Sequence, residues 1–375
     1  MSADPALRPM EAVRVMVVDD SVVVRSLTSR WLQEQPGFEV VASCRSGLDA
    51  VARVAALRPD VVVLDVEMPG MDGVEALPLL LKARAGLAVL MNSSYTTRGA
   101  DLSLRCLALG ATDVLAKPSR DTVQTEQYRQ ELLARVRALG DFSRRRGAPS
   151  AAFQPRPTPA ARLAGVARTA EIGGQAAGGD RRVSCVAVGS STGGPQALME
   201  LFRAMNGSFR DLPVLVTQHM PAGFTAALGE HLSRAAGVTA REARDNEPLA
   251  GGVVYIAPGG RHMSVAKGAG GVVVKLEDGP AVNFCKPSVD PMFRSASKIY
   301  GAGLVAVVLT GMGSDGATAV KAVADAGGRV LAQDEATSVV WGMPGAAAAT
   351  GVCAAILPLK EMGPRVIRMI ERGRS

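Results

Sequence analysis

Short valine-rich runs alternate with longer stretches of helical apolar spacing across residues 12–137. The runs Arg14–Val18, Glu39–Ser43, Asp60–Leu64, Ala88–Met91 and Asp113–Ala116 predict strands. A βαβα rhythm of this kind predicts a parallel sheet with helices on both faces. Residues 142–181 carry neither period and are dominated by Arg, Ala, Pro and Gly. Such a stretch holds too few large apolar residues to fold and predicts a flexible linker. The rhythm resumes at Arg182. Ser184–Gly189, Val214–Gln218, Val253–Ala257, Leu304–Leu309 and Arg329–Ala332 predict strands, and Gln196–Met205, Thr225–Ala235, Ala317–Ala326 and Leu359–Arg372 predict helices. The expected organisation is an α/β front domain over 12–138, a linker over 139–181, and a doubly wound, mostly parallel α/β back domain over 182–375.

At 375 residues the chain can build two cores of ordinary size. Hydrophobic residues make up 47% but aromatics only 4%, so those cores must be made mainly of Val, Leu, Ala and Met. The net charge of +7 invites a nucleic-acid reading. Its location argues otherwise: the segment 141–182 holds eight arginines, no lysine and three acids, which leaves the folded parts near neutral. The basic excess reads as a solvated tether, and no nucleic-acid partner is expected. The five cysteines are scattered and form no C-x-x-C pair, which argues against a disulfide framework or a zinc site and fits a reducing cytoplasm. No signal-peptide pattern opens the chain, and no apolar run approaches the roughly 20 residues of a membrane span, so membrane insertion is not expected.

Polar residues collect at the carboxyl ends of the front strands, where open parallel sheets do their chemistry. Asp19 and Asp20 follow the first strand, Asp65 the third, Ser93 the fourth and Lys117 the fifth. Three carboxylates at such close quarters repel unless a cation sits among them, and hard oxygen donors suit Mg²⁺. A phosphoryl group on Asp65 would offer acceptor oxygens to Lys117 and Ser93. The bland alternative makes Asp19 and Asp20 helix N-caps and Asp65 the start of a turn.

The segments VVDDS, LDVEMPGMDG and AKP resemble the receiver domain of two-component response regulators, over roughly residues 13–130. The resemblance implies a flavodoxin-like fold of five parallel strands in the order 2-1-3-4-5. It implies that Asp65 takes phosphate from a histidine kinase. It implies that Asp20, Asp65 and the Glu67 backbone carbonyl hold Mg²⁺, with Asp19 acting through water, and that Ser93 and Lys117 read the phosphoryl group. Val114 departs from the pattern, because receivers often carry an aromatic residue there.

In the back half, Gly189-Ser190-Ser191-Thr192-Gly193 satisfies G-x-S-x-G between a predicted strand and a predicted helix. That context exposes the middle serine on a tight turn and turns backbone N–H groups toward an oxyanion. A Gly-rich phosphate-binding turn uses the same physics. A serine nucleophile needs a base. Of the three histidines, His231 lies in a helical stretch and His262 in a Gly-rich turn, whereas His219 directly follows a strand at the edge that carries Ser191. Asp315, after a third strand, can orient the imidazole. Gly311 to Gly316 also spells G-x-G-x-x-G. A dinucleotide reading fails there, because Asp315 would put a carboxylate where the pyrophosphate must sit, and because the motif comes late in its domain.

The segments GSSTGGPQAL, QHMPAGFT, YIAPGGRHM, LTGMGSDGA and QDEATSVVWGMP resemble the catalytic domain of the chemotaxis protein-glutamate methylesterases, over about residues 182–370. The resemblance implies that Ser191 is the nucleophile, His219 the base and Asp315 its orienting partner. Thr192 and Met312 would line the site, with the Met312 backbone in the oxyanion hole. It further implies hydrolysis of glutamyl methyl esters and deamidation of glutamines on methyl-accepting chemoreceptors, with no cofactor for the esterase. In the family the unphosphorylated receiver blocks the active site and phosphorylation relieves the block. Ser190 stands where the family often has alanine, and the linker is longer and richer in arginine than expected. A back half that only binds partners is the competing reading, and the intact Ser, His and Asp argue against it.

Overall fold

The structure is a computed structural model that describes residues 12–94, 96–117, 122–147, 182–205 and 207–373. The chain divides into two compact units, with a boundary near residue 152.

In the front unit, β1 (Val13–Val18), β2 (Phe38–Cys44), β3 (Val61–Asp65), β4 (Ala88–Ser93) and β5 (Asp113–Ala116) form one sheet in the order β2-β1-β3-β4-β5. Every pairing is parallel. Each residue of β3 and β4 is buried, as expected of central strands covered on both faces. The helices are α1 (Val22–Gln33), α2 (Gly47–Leu57), α3 (Gly73–Ala83), α4 (Thr97–Ala108) and α5 (Thr122–Gly147). Hydroxyl or carboxylate N-caps start four of them: Ser21, Ser46, Asp72 and Thr96 each accept from an amide in the first turn. Capping therefore falls to Ser21 and Asp72, and it leaves Asp19, Asp20 and Asp65 for other work.

The expected linker starts too early. Residues 139–147 continue α5, because that turn is anchored rather than solvated. Leu139 is fully buried. Ser143 Oγ donates to the Gly86 carbonyl at 2.8 Å, and Arg144 reaches Asp60 Oδ2 at 3.1 Å and the Ala12 carbonyl at 2.6 Å. The rest of the expected linker, 148–181, lies outside the described residues.

In the back unit, a seven-stranded sheet runs β14-β13-β12-β6-β7-β9-β8, parallel throughout. Its strands are β6 (Cys185–Ser190), β7 (Val214–Gln218), β8 (Thr239–Glu242), β9 (Val253–Ile256), β12 (Leu304–Val308), β13 (Arg329–Gln333) and β14 (Ala355–Leu357). A separate antiparallel hairpin joins β10 (His262–Gly268) to β11 (Gly271–Glu277). The helices are α6 (Gly194–Met205), α7 (Phe224–Ala236), α8 (Val289–Tyr300), α9 (Ala319–Asp325), α10 (Met343–Ala349) and α11 (Leu359–Arg372).

Pattern alone missed β8, the hairpin, α8, α10 and β14. Helix α8 is the instructive case. Its sequence VDPMFRSASKIY places Val289, Met292, Phe293 and Ala296 on one buried face at helical spacing, with polar Asp290 and Ser297 buried beside them, so the apolar stripe was present and went unread. The chain starts this sheet at its centre with β6, grows to one side through β7, and returns to β12 on the other. The strand order therefore reverses between β6 and β12, and the loops after these two strands meet at the carboxyl edge of the sheet, where the Ser191 amide donates to the Thr310 carbonyl at 3.0 Å.

Candidate active site and phosphoryl-acceptor pocket

The turn after β6 carries Ser191 to that edge, between strand and helix as the motif requires. Gly193 takes φ +74°, and a Cβ there would meet Val339 at 2.5 Å. A Cβ on Gly311, in the loop after β12, would meet Ser191 Cβ at 2.8 Å. Glycine at these positions lets two loops close on the serine. Gln218, the last residue of β7, is buried and locks the turn from beneath: Ser190 Oγ donates to its Oε1 at 2.7 Å, and its Nε2 donates to the Ser191 carbonyl at 2.9 Å. The Thr192 carbonyl accepts from Thr310 Oγ1 at 2.9 Å. The sequence reading did not single out Gln218 or Thr310, although both sit at strand ends beside assigned residues.

His219 follows Gln218, and its amide donates to the Ser190 carbonyl at 3.1 Å. The histidine and the serine turn are therefore adjacent. The imidazole presents Nε2 to Asp315 Oδ2 at 2.8 Å and Nδ1 to Cys285 Sγ at 3.4 Å. Asp315 is buried and saturated. Its Oδ2 also accepts from the Val289 amide at 2.7 Å, and its Oδ1 from Ser288 Oγ at 2.8 Å, Asn283 Nδ2 at 2.8 Å and the Gly316 amide at 3.0 Å. The N-terminus of α8 thus points at this carboxylate. Burial alone would raise the Asp315 pKa, but the His219 imidazole and the Val289 and Asn283 donors reverse that and hold it at about 2. For His219 burial opposes the charged form, yet the hydrogen bonds and charges of Asp315 and Cys285 win and raise its pKa to about 9.

The structure brings together Ser191, His219 and Asp315, with Thr192 buried beside them and Met312 half-buried in the loop leading to Asp315. It does not join Ser191 Oγ to the imidazole: among the described residues that hydroxyl makes no hydrogen bond. Catalytic hydrogen bonds commonly tighten only when substrate is bound. Sequence reasoning also missed Asn283, Ser288 and Cys285, which come from the loop before α8. Between Asn283 and Cys285, Phe284 stands fully exposed (103%) at φ +62°. The other histidines have different duties. His262 is buried, receiving the Ser288 amide on Nδ1 at 3.1 Å and facing the Pro280 carbonyl through Nε2 at 2.9 Å. His231 lies on α7.

In the front unit four of the five expected residues, Asp19, Asp20, Asp65 and Lys117, converge. Carboxylate oxygens of Asp19, Asp20 and Asp65 lie within 4.8 Å of one another. Lys117 Nζ sits 2.9 Å from Asp19 Oδ2 and 2.8 Å from Asp65 Oδ2. Burial raises the Asp65 pKa to about 6 against the pull of Lys117. Burial opposes the charge on Lys117, but Asp65 and Asp19 together keep its pKa raised. Asp19 Oδ2 is buried and, despite the nearby ammonium, accepts no hydrogen bond of good geometry. Three clustered carboxylates with a buried, under-used oxygen fit a hard divalent cation. Ser93 is buried and donates to the Gly99 carbonyl at 3.0 Å, so its hydroxyl is turned away from Asp65. The Glu67 side chain pairs with Ser94 Oγ at 2.8 Å and Arg98 at 3.6 Å, which leaves only its backbone for the pocket.

Two family models match the chain: CheB methylesterase over residues 186–366 and response regulator receiver domain over 15–128. A protein-glutamate methylesterase/protein-glutamine glutaminase of group 2 operon from Rhodopseudomonas palustris is 48% identical over 97% of this chain and 96% of its own length. A protein-glutamate methylesterase/protein-glutamine glutaminase 1 from Paramagnetospirillum magneticum is 45% identical over 99% of this chain and 100% of its own. The crystal structure of the Thermotoga maritima CheB methylesterase catalytic domain is 37% identical, covers 50% of this chain and 98% of that chain, and superposes with a TM-score of 0.48.

Proposed function

The chain belongs to the family of protein-glutamate methylesterases/protein-glutamine glutaminases with a response-regulator receiver, and from that premise we propose that Ser191, His219 and Asp315 carry its hydrolytic reaction. The protein hydrolyses glutamyl methyl esters on chemoreceptors, deamidates receptor glutamines to glutamate, and so serves sensory adaptation in chemotaxis. The observation that carries the residue assignment is the 2.8 Å contact of His219 Nε2 with a buried, fully hydrogen-bonded Asp315, while the His219 amide donates to the carbonyl of Ser190, the residue before Ser191.

With Nε2–H committed to Asp315, the nitrogen that accepts the Ser191 proton is Nδ1. As Oγ attacks the ester carbonyl, the imidazolium that forms is held by the Asp315 carboxylate. The developing oxyanion meets backbone N–H groups. Those of Thr192 and Met312 donate to no other described residue. An oxyanion donor is worth about 3 kcal/mol in the transition state. His219 then gives the proton to the departing methoxy oxygen, which leaves as methanol, or to the departing amide nitrogen of a glutamine, which leaves as ammonia. A water activated by the same Nδ1 clears the acyl-enzyme and leaves glutamate on the receptor.

In the front unit Asp65 accepts the phosphoryl group from a histidine kinase of the chemotaxis system. Asp19, Asp20, Asp65 and the Glu67 carbonyl would hold Mg²⁺, which when bound neutralises the clustered carboxylates and the incoming phosphate. Lys117, already on Asp65, pairs with the phosphoryl oxygens. Ser93 must turn from Gly99 to reach them. Both reactions belong to the cytoplasmic side of the cell, where receptor helices carry the methylated glutamates. No described helix is long and apolar enough to cross a membrane. The decisive experiment is methanol release from methylated receptor membranes, with and without a phosphodonor. A Ser191→Ala variant that releases methanol at the parent rate sinks the assignment.

A further inference from the structure

The absence of a C-x-x-C pair removes the usual zinc signature from the sequence, yet folding brings a thiol, an imidazole and a carboxylate together. His219, Cys285 and Asp315 each bring a ligand atom within 4.8 Å of the others. Cys285 is partly exposed and its Sγ lies 3.4 Å from His219 Nδ1. Two ligands of a tetrahedral zinc ion, with Zn–N near 2.0–2.1 Å and Zn–S near 2.3 Å, stand roughly 3.5 Å apart. The pair therefore already sits at chelating distance. Asp315, on Nε2 at 2.8 Å, is in the place of the outer carboxylate that fixes the tautomer and orientation of a metal-binding histidine. Asn283, Ser288 and the Val289 amide hold that carboxylate rigidly.

We propose that Cys285 Sγ and His219 Nδ1 form an inhibitory site for a soft divalent cation of the zinc type, completed by water and backed by Asp315. Binding takes a thiolate and the Nδ1 lone pair, so the protons on Cys285 Sγ and, where the imidazole is charged, on His219 Nδ1 leave to solvent. That lone pair is the one the Ser191 proton must use, so a bound cation and ester hydrolysis exclude each other. The acidic pocket of the front unit does not compete, because its all-oxygen donors favour a hard ion and excess Mg²⁺ fills it.

Cation binding is read directly by titrating Co²⁺ into the full chain with saturating Mg²⁺. A thiolate-to-cobalt charge-transfer band is expected in the parent and in Ser191→Ala, and its loss is expected in Cys285→Ser. A band that persists in Cys285→Ser, or that fails to appear in Ser191→Ala, overturns the site. The second arm rests on the esterase reading and measures methanol release. Micromolar Zn²⁺ should inhibit the parent reversibly to chelator, and Cys285→Ser should need at least about tenfold more Zn²⁺ for the same fractional inhibition. Equal inhibition of both proteins overturns the proposal. If Cys285→Ser releases no methanol at all, the cobalt band in Ser191→Ala, against Ser191→Ala combined with Cys285→Ser, decides. A metal-free parent that releases no methanol would instead count against the esterase reading and leave the cobalt arm standing.

Discussion

His219 gives its Nε2 to Asp315 at 2.8 Å, so the ring nitrogen left clear of that carboxylate is Nδ1, 3.4 Å from Cys285 Sγ. The carboxylate is not merely near the ring. It is held by the α8 N-terminus, by Asn283 and by Ser288, and so it fixes both tautomer and tilt. Asp315→Asn should lower kcat by about 10³–10⁴-fold, because an amide can present the wrong hydrogen-bonding partner to Nε2 and cannot stabilise the imidazolium. Single-turnover methanol release measures this, and a loss below tenfold would remove Asp315 from the mechanism.

The same pair predicts a pH profile. His219 works as a base only when neutral, and Asp315 and Cys285 raise its pKa from 6.5 to about 9. Activity should therefore climb with pH through the range above 6.5, with the acid limb of kcat/KM displaced toward 9. For stability the sign is opposite. A raised folded-state pKa adds stability that is full below 6.5 and is lost as pH rises through about 9. The gap in Tm between the parent and His219→Gln should shrink across that window. An acid limb at or below the ordinary histidine value would contradict the assignment of His219 as base.

Asp65→Asn and Lys117→Ala should each abolish stimulation by a small phosphodonor, and chelating Mg²⁺ should do the same to the parent. Lys117 bridges Asp19 and Asp65 at 2.9 and 2.8 Å, so its removal also leaves two buried carboxylates unpaired. Labelling with a radioactive phosphodonor checks the site: label retained by Asp65→Asn would move it elsewhere.

Phe284 is fully exposed at positive φ, between two residues that touch Asp315 and His219. An exposed aromatic fixed this way suits contact with the substrate helix. Phe284→Gly accepts the backbone conformation without a steric penalty. It should raise KM for methylated receptors several-fold while leaving kcat for a small methyl ester near the parent value. An unchanged KM for receptors would assign Phe284 no part in recognition.

The extension of α5 to Gly147 bears on the front unit alone. A fragment ending at 138 loses buried Leu139 and the Ser143–Gly86 and Arg144–Asp60 contacts. It should melt several degrees below a fragment ending at 147, as expected for a loss of about 1–2 kcal/mol in a domain of this size. Equal melting temperatures would show that the last turns of α5 add nothing.

Strand ends were legible in the sequence. Asp19, Asp20, Asp65, Ser93 and Lys117, like Ser191, His219 and Asp315, are each tied to a short apolar run, and a parallel sheet must bring such ends to one edge. The turns were legible too, because positive φ at Gly193 and close approach at Gly311 restrict the residue to glycine. What the local pattern could not carry was anything set by a neighbour distant in the chain. The apolar stripe of helix α8 is regular, but nothing local shows that its N-terminus points at Asp315, so the donors that saturate Asp315 went unread. The linker boundary went the same way, because an arginine-rich turn reads as solvated until Asp60, 84 residues away, is seen to accept it. Only the tertiary structure decided which ring nitrogen of His219 faces Asp315 and which faces Cys285. Ring orientation follows from hydrogen bonds made 66 and 96 residues away, and no sequence window contains both.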